Sequence, residues 1–127
     1  MNEADQQPSF TTVLKRGLRM KCPRCGQSTL FYHYMTAHIN CNICKLDFGS
    51  LRADDGPAWL TIIIAGHLGI PFVFWLLERD LSNPIWDTIL PIAFVIALSL
   101  IILPRAKGLF IAMIWYKDNR DDDEPTL

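Results

Sequence analysis

The sequence predicts a small membrane protein: a cytoplasmic zinc-ribbon β-hairpin head, followed by a two-helix transmembrane hairpin and a short interfacial segment. Three observations carry this expectation. Two apolar runs without a formal charge, Pro57–Leu77 and Thr88–Pro104, approach the length of a bilayer. Four cysteines form two matched pairs, Cys22-x2-Cys25 and Cys41-x2-Cys44. Basic residues flank both runs and nearly avoid the turn between them.

The apolar runs come first because they decide the class. Half of the 127 residues are hydrophobic, and they concentrate in these two runs and in Leu109–Tyr116. Pro57–Leu77 has 21 residues. At about 1.5 Å per residue it matches a hydrocarbon core of about 30 Å. Thr88–Pro104 is shorter and needs the turn from Pro84. Asn83-Pro84 is a good start for it, with Asn as N-cap and Pro at the first helical position. Trp59, Trp75, Trp86 and Trp115 fall near the run ends, where amphipathic indoles are favoured. The first run begins more than fifty residues into the chain, so it is not a signal peptide.

The organisation that follows is a disordered segment 1–12, a head with a basic lead-in at 13–55, and a first transmembrane helix at 56–78. An external loop at 79–83 leads to a second transmembrane helix at 84–104, ended or kinked by Pro104. An interfacial segment at 105–117 and an acidic disordered tail at 118–127 close the chain. Residues 1–56 carry seven Lys or Arg, the loop carries Arg79 alone, and the tail carries four. The positive-inside rule therefore puts both termini in the cytoplasm. The expected location is a bacterial inner membrane. The net charge of −1 hides this asymmetry and says nothing about partners.

The head holds the most specific signal. Each Cys-x2-Cys can wrap two thiolates around one face of a tetrahedral ion, and 15 residues between the pairs suit a hairpin. Cys22, Cys25, Cys41 and Cys44 are thus the expected ligands of one structural zinc. Gly26 supplies a knuckle turn, and Phe31, Tyr32 and Tyr34 are expected to fill the hairpin. So short a head needs a metal to fold. Disulfides fit a cytoplasmic compartment poorly. A redox role would need one pair, not two. His33 and His38 are read as hairpin residues. Lys15, Arg16, Arg19, Lys21 and Arg24 precede or enter the first knuckle, while no Lys or Arg lies between Cys25 and Cys44. That pattern suits anionic lipid at the basic flanks better than a nucleic-acid duplex.

Asp54 and Asp55 precede Pro57 and suit the positive end of a helix dipole. With Arg52 they form a polar rim that can dock a partner or a cation. Arg105 and Lys107 mark the headgroup level at the other helix. His67 sits mid-span, where an ionisable residue is a functional hypothesis by default. Pro71 also frees the His67 carbonyl. Ser99 offers a local partner for it. The small residues Ala58, Thr61, Ala65 and Gly69 form one stripe, expected to meet Ala93 and Ala97 of the second helix. His67 then points roughly 150° away. It would face lipid, a partner helix or a haem.

The segments "CPRCG", "CNICKLDF", "RADDGPAWLT", "GHLGIP" and "LPRAKG" resemble the bacterial family called domain of unknown function 983, over about Lys21 to Tyr116. The resemblance implies a zinc-ribbon head on two membrane helices and no established activity. It also implies a genomic setting beside cytochrome c oxidase genes. The leading expectation is a non-enzymatic accessory or assembly factor for a respiratory membrane complex, with an integral membrane partner. The alternatives are a membrane-tethered thiol oxidoreductase or metal-transfer protein and, third, a membrane-tethered nucleic-acid binder. Homo-oligomerisation is a further expectation.

Overall fold

The computed structural model describes residues 8–51, 55–79 and 83–123. It contains three helices: α1 (Phe10–Leu18), α2 (Gly56–Leu77) and α3 (Pro84–Asp123). The cysteine-bearing head lies between α1 and α2 in sequence.

Helices α2 and α3 are both long and apolar enough to cross a membrane. Only 22% and 11% of their most apolar windows are buried within the chain. A soluble core helix would bury most of such a face, so the exposed apolar surface is consistent with a membrane protein. Asp55 is the N-cap residue of α2 and Pro57 lies in its first turn. The Asn83 side chain accepts from the Ile85 amide at 3.1 Å, the expected cap of α3.

The two helices pair antiparallel. Phe72 stacks on Phe94 with centroids 4.0 Å apart, and a Cβ on Gly69 would touch Val95 at 3.3 Å. Thr61, Ala65 and Gly69 are buried, as the small-residue stripe predicts. Two details differ. Pro57 is buried in place of Ala58, and Ala93 and Ala97 are exposed. The α3 face that meets α2 uses larger residues, among them Phe94 and Val95. Small residues are needed on one helix only, because the partner's bulk fills the space that they leave.

Helix α3 does not end at Pro104, as the sequence predicts, but runs as one helix to Asp123. The segments 105–117 and 118–123 are therefore helical, and the expectation of a disordered tail over 124–127 lies outside the described residues. Forty residues make a rod of about 60 Å, twice the thickness of a hydrocarbon core. Its second half is the mast of the head. Ile111, Ala112 and Trp115 are buried there with Val13, Leu30, Phe48 and Leu51. Trp115 is thus a core residue and not an interfacial one. Pro104 lies inside α3, as Pro91 does, and the Leu100 carbonyl that Pro104 frees accepts the Tyr34 hydroxyl.

The sequence predicts disorder over 1–12, yet α1 starts at Phe10. The expectation for residues 1–7 lies outside the described residues. The missed signal is apolar periodicity: Phe10, Val13, Leu14 and Leu18 recur at helical spacing. Helix α1 lies on α3 at very close range. A Cβ on Gly17 would stand 2.7 Å from the Ala112 Cβ, and one on Gly108 would overlap the Gly17 carbonyl oxygen.

No β-hairpin forms among the described residues. The head has three isolated antiparallel bridges, Lys21 with Thr29, Phe31 with Ala37 and Asn40 with Asp47. The first and third close the two knuckles, and the second closes the tip. Each bridge runs straight into a turn, so no ladder can grow. Tyr32 and Tyr34 are exposed. The filling expected of them comes instead from Leu30, Phe48 and the mast.

Candidate metal centre

The two knuckles have the same backbone plan. In the first, the Gly26 amide donates to the Cys22 carbonyl at 2.9 Å; in the second, the Lys45 amide donates to the Cys41 carbonyl at 3.1 Å. The residue after each pair takes a left-handed conformation, Gly26 at φ 68° and Lys45 at φ 59°. Gly26 does so without steric cost, while Lys45 carries some strain. Arg16 of α1 locks the first knuckle by donating to the carbonyls of Pro23 and Arg24 at 3.1 and 2.9 Å. The basic cluster is therefore partly structural, which its sequence position alone does not reveal.

The plan brings all four sulfurs within 4.8 Å of one another. Cys22 and Cys44 lie 3.6 Å apart, as do Cys25 and Cys41. A disulfide needs about 2.05 Å. Four sulfurs about 2.3 Å from a tetrahedral zinc ion stand about 3.8 Å apart. The donor set thus fits zinc in both chemistry and spacing.

The sulfurs differ in surroundings. Cys22 and Cys41 are 0% and 1% exposed, whereas Cys25 and Cys44 are half-buried. Burial pushes the Cys22 thiol up, against the pull of the Cys25 and Arg24 amides. Burial also raises Cys44. At Cys41 burial likewise pushes up, but the Cys44 and Ile43 amides and the neighbouring thiols outweigh it and bring the thiol down to about 6. The Cys44 amide lies 3.5 Å from the Cys41 sulfur. Aimed amides of this kind stabilise thiolate, the form that binds metal.

The other predicted site residues do not converge. His67 is exposed on α2, and its Nδ1–H donates to the Ile63 carbonyl of its own helix at 2.8 Å. Ser99 is not its partner, and nothing around it supports a haem. Asp55 is exposed at the N-terminus of α2, without a side-chain cap bond. Arg52 and Asp54, the rest of the expected rim, lie outside the described residues. Arg105 donates to the Ile101 carbonyl at 3.0 Å. Lys107 donates to the Met35 carbonyl at 2.8 Å, so it ties the ribbon tip to α3.

The family described as protein of unknown function (DUF983) matches residues 31–115. No curated protein and no solved structure matches the chain.

Proposed function

We propose that this chain, which belongs to the DUF983 family, is a non-enzymatic, membrane-anchored accessory protein whose zinc centre is structural. One observation carries the reading: the cysteine cluster is part of the head's hydrophobic core. Cys22 and Cys41 pack with Val13, Leu30, Ile111, Ala112 and Trp115. A thiol oxidoreductase or a metal-transfer site must offer a sulfur to an incoming partner. For Cys22 and Cys41 that would open the core that joins the head to its mast, and the half-buried Cys25 and Cys44 share one sulfur cluster with that pair. The zinc holds two knuckles in a fixed shape, and α3 carries that shape rigidly from the anchor.

In this reading α2 and α3 cross a bacterial inner membrane with the head and both termini in the cytoplasm, as the basic flanks indicate. The partner is an integral membrane protein. The apolar outer faces of the pair and His67 are the surfaces it would meet. The family resemblance points to a respiratory complex. The test is purification of the full chain in mild detergent, with identification of co-purifying chains and an assay of thiol alkylation. Expected are one zinc, thiols that resist alkylation until zinc is removed, and a stable membrane partner lost in His67→Leu. Rapid alkylation with zinc retained, or a reversible dithiol–disulfide couple, would transfer the reading to the oxidoreductase. Identical partners for wild type and His67→Leu would leave that side chain as packing.

A further inference from the structure

We propose that the groove between the ribbon tip and α3 binds the headgroup of an anionic phospholipid, with Arg19 and Arg105 facing its phosphate. The inference rests on the membrane reading above and gives it a specific ligand. The groove is a cavity of about 520 Å³ whose lining includes Arg19, Arg105, Thr29, Tyr32, Leu100 and Ile101. No acidic residue lines it.

The lining is graded in the way a lipid is. Two guanidinium groups, the Thr29 hydroxyl, the Tyr32 and Tyr34 phenols and the His33 imidazole meet apolar side chains of α3. Leu100 and Ile101 belong to the uncharged stretch of α3 and are exposed. The pairing of Phe94 with Phe72 and of Val95 with Gly69 places that stretch beside α2, not beyond its end. The apolar floor of the groove is therefore at the depth of acyl chains. Its basic rim faces the head, where phosphates lie. A dissolved phosphate would find no use for the floor, and a zwitterionic headgroup would gain little from two cations.

The arginines are also available. Arg16 and Lys107 are committed to backbone carbonyls of the head. Arg105 spends one N–H on the Ile101 carbonyl. A guanidinium has five N–H donors, so four remain, in the planar fork that suits phosphate oxygens. The bond to Ile101 also draws this guanidinium back along α3 toward the apolar stretch, holding it over the groove. Arg19 directly follows α1 as its C-cap residue. Because α1 is held against α3 at Gly17 and Gly108, the two cations come from elements that cannot drift apart.

The test uses the full chain reconstituted in nanodiscs of phosphatidylglycerol and phosphatidylcholine in equal amounts, with matched acyl chains. The lipid retained on mild extraction is counted by native mass spectrometry. Wild type should retain phosphatidylglycerol in preference. Arg19→Gln/Arg105→Gln should lower that preference on the order of tenfold. Arg24→Gln/Lys117→Gln removes the same charge from exposed positions outside the groove and should leave it unchanged. Zinc content reports whether each variant keeps its head. If the groove variant loses zinc, single Arg19→Gln and the wild-type preference carry the test. No preference in wild type would overturn the proposal. So would equal losses in both double variants, or displacement of the lipid by dissolved glycerol phosphate. Recovery of a partner chain's carboxylate in the groove would also overturn it. A chain recovered in the soluble fraction would sink the membrane reading itself. A membrane-bound chain without lipid preference sinks only this inference.

Discussion

The Tyr34 hydroxyl donates to the Leu100 carbonyl, the acceptor that Pro104 cannot use. One residue of the head thereby repairs the backbone defect of a helix 66 positions away in sequence. Tyr34→Phe should loosen the ribbon tip from α3 and cost about 0.6–2 kcal/mol. In a Pro104→Ala background the helix can satisfy Leu100 itself, so the same change should cost less. Thermal denaturation of the four proteins in detergent measures the coupling. Strictly additive effects would show that the bond does not compensate for Pro104.

Gly17 and Gly108 bring α1 and α3 into backbone contact. A Cβ on Gly108 would meet the Gly17 carbonyl oxygen, which cannot rotate aside. Gly108→Ala should therefore cost about 1–3 kcal/mol through overpacking. It should also make α1 more sensitive to protease. Gly66→Ala is the contrast, since nothing lies within 4 Å of its added Cβ. That change should be neutral or stabilise α2 by up to about 1 kcal/mol.

The knuckles predict opposite responses at equivalent positions. Gly26→Ala adds a Cβ 2.6 Å from the Arg16 Nε at a left-handed φ. It should displace the Arg16 clamp and speed zinc loss to a chelator. Lys45→Gly removes a side chain from the same left-handed conformation. It should gain about 1 kcal/mol or less in the folded state, as strain relief is partly offset by chain entropy. Chelator-driven release followed by a colorimetric indicator ranks the three proteins.

Zinc should bind one per chain through sulfur alone. Ser at Cys22, Cys25, Cys41 or Cys44 should unfold the head, since such metals supply on the order of 10 kcal/mol to small folds. Acid should release the metal, because each ligand must give up its proton to bind, and burial already favours the protonated form of the free Cys22 and Cys44 thiols. X-ray absorption that shows nitrogen or oxygen neighbours would contradict the four-sulfur centre.

The head, α1 and the second half of α3 pack together, so they must share one side of any membrane that α2 and α3 cross. Reporters at Leu127 and at residue 8 should therefore agree, and one inserted near Ser82 should report the opposite side. The basic residues predict that the shared side is the cytoplasm. Disagreement between the two ends would overturn the paired-helix arrangement.

The sequence by itself determined the parts whose cause is local. Hydrophobic run length marked α2 and the first half of α3, and Asn83-Pro84 marked where α3 begins. Cysteine spacing marked the four sulfurs that come together, because a knuckle needs only its own few residues to place two sulfurs. Thr61, Ala65 and Gly69 marked the buried face of α2. Tertiary structure decided what depends on distant partners. Pro104 reads as a helix end, yet α3 continues past it and Tyr34 satisfies the Leu100 carbonyl that the proline frees. Leu109–Tyr116 reads as an interfacial segment until α1 and the knuckles cover it. The ribbon reads as a hairpin that fills itself, yet its core comes from the mast and the tyrosines stay outside. Arg16 reads as a lipid-facing charge, yet it clamps Pro23 and Arg24. Each of these outcomes turns on a backbone group or an apolar face satisfied from far along the chain, and only the folded contact reveals that satisfaction.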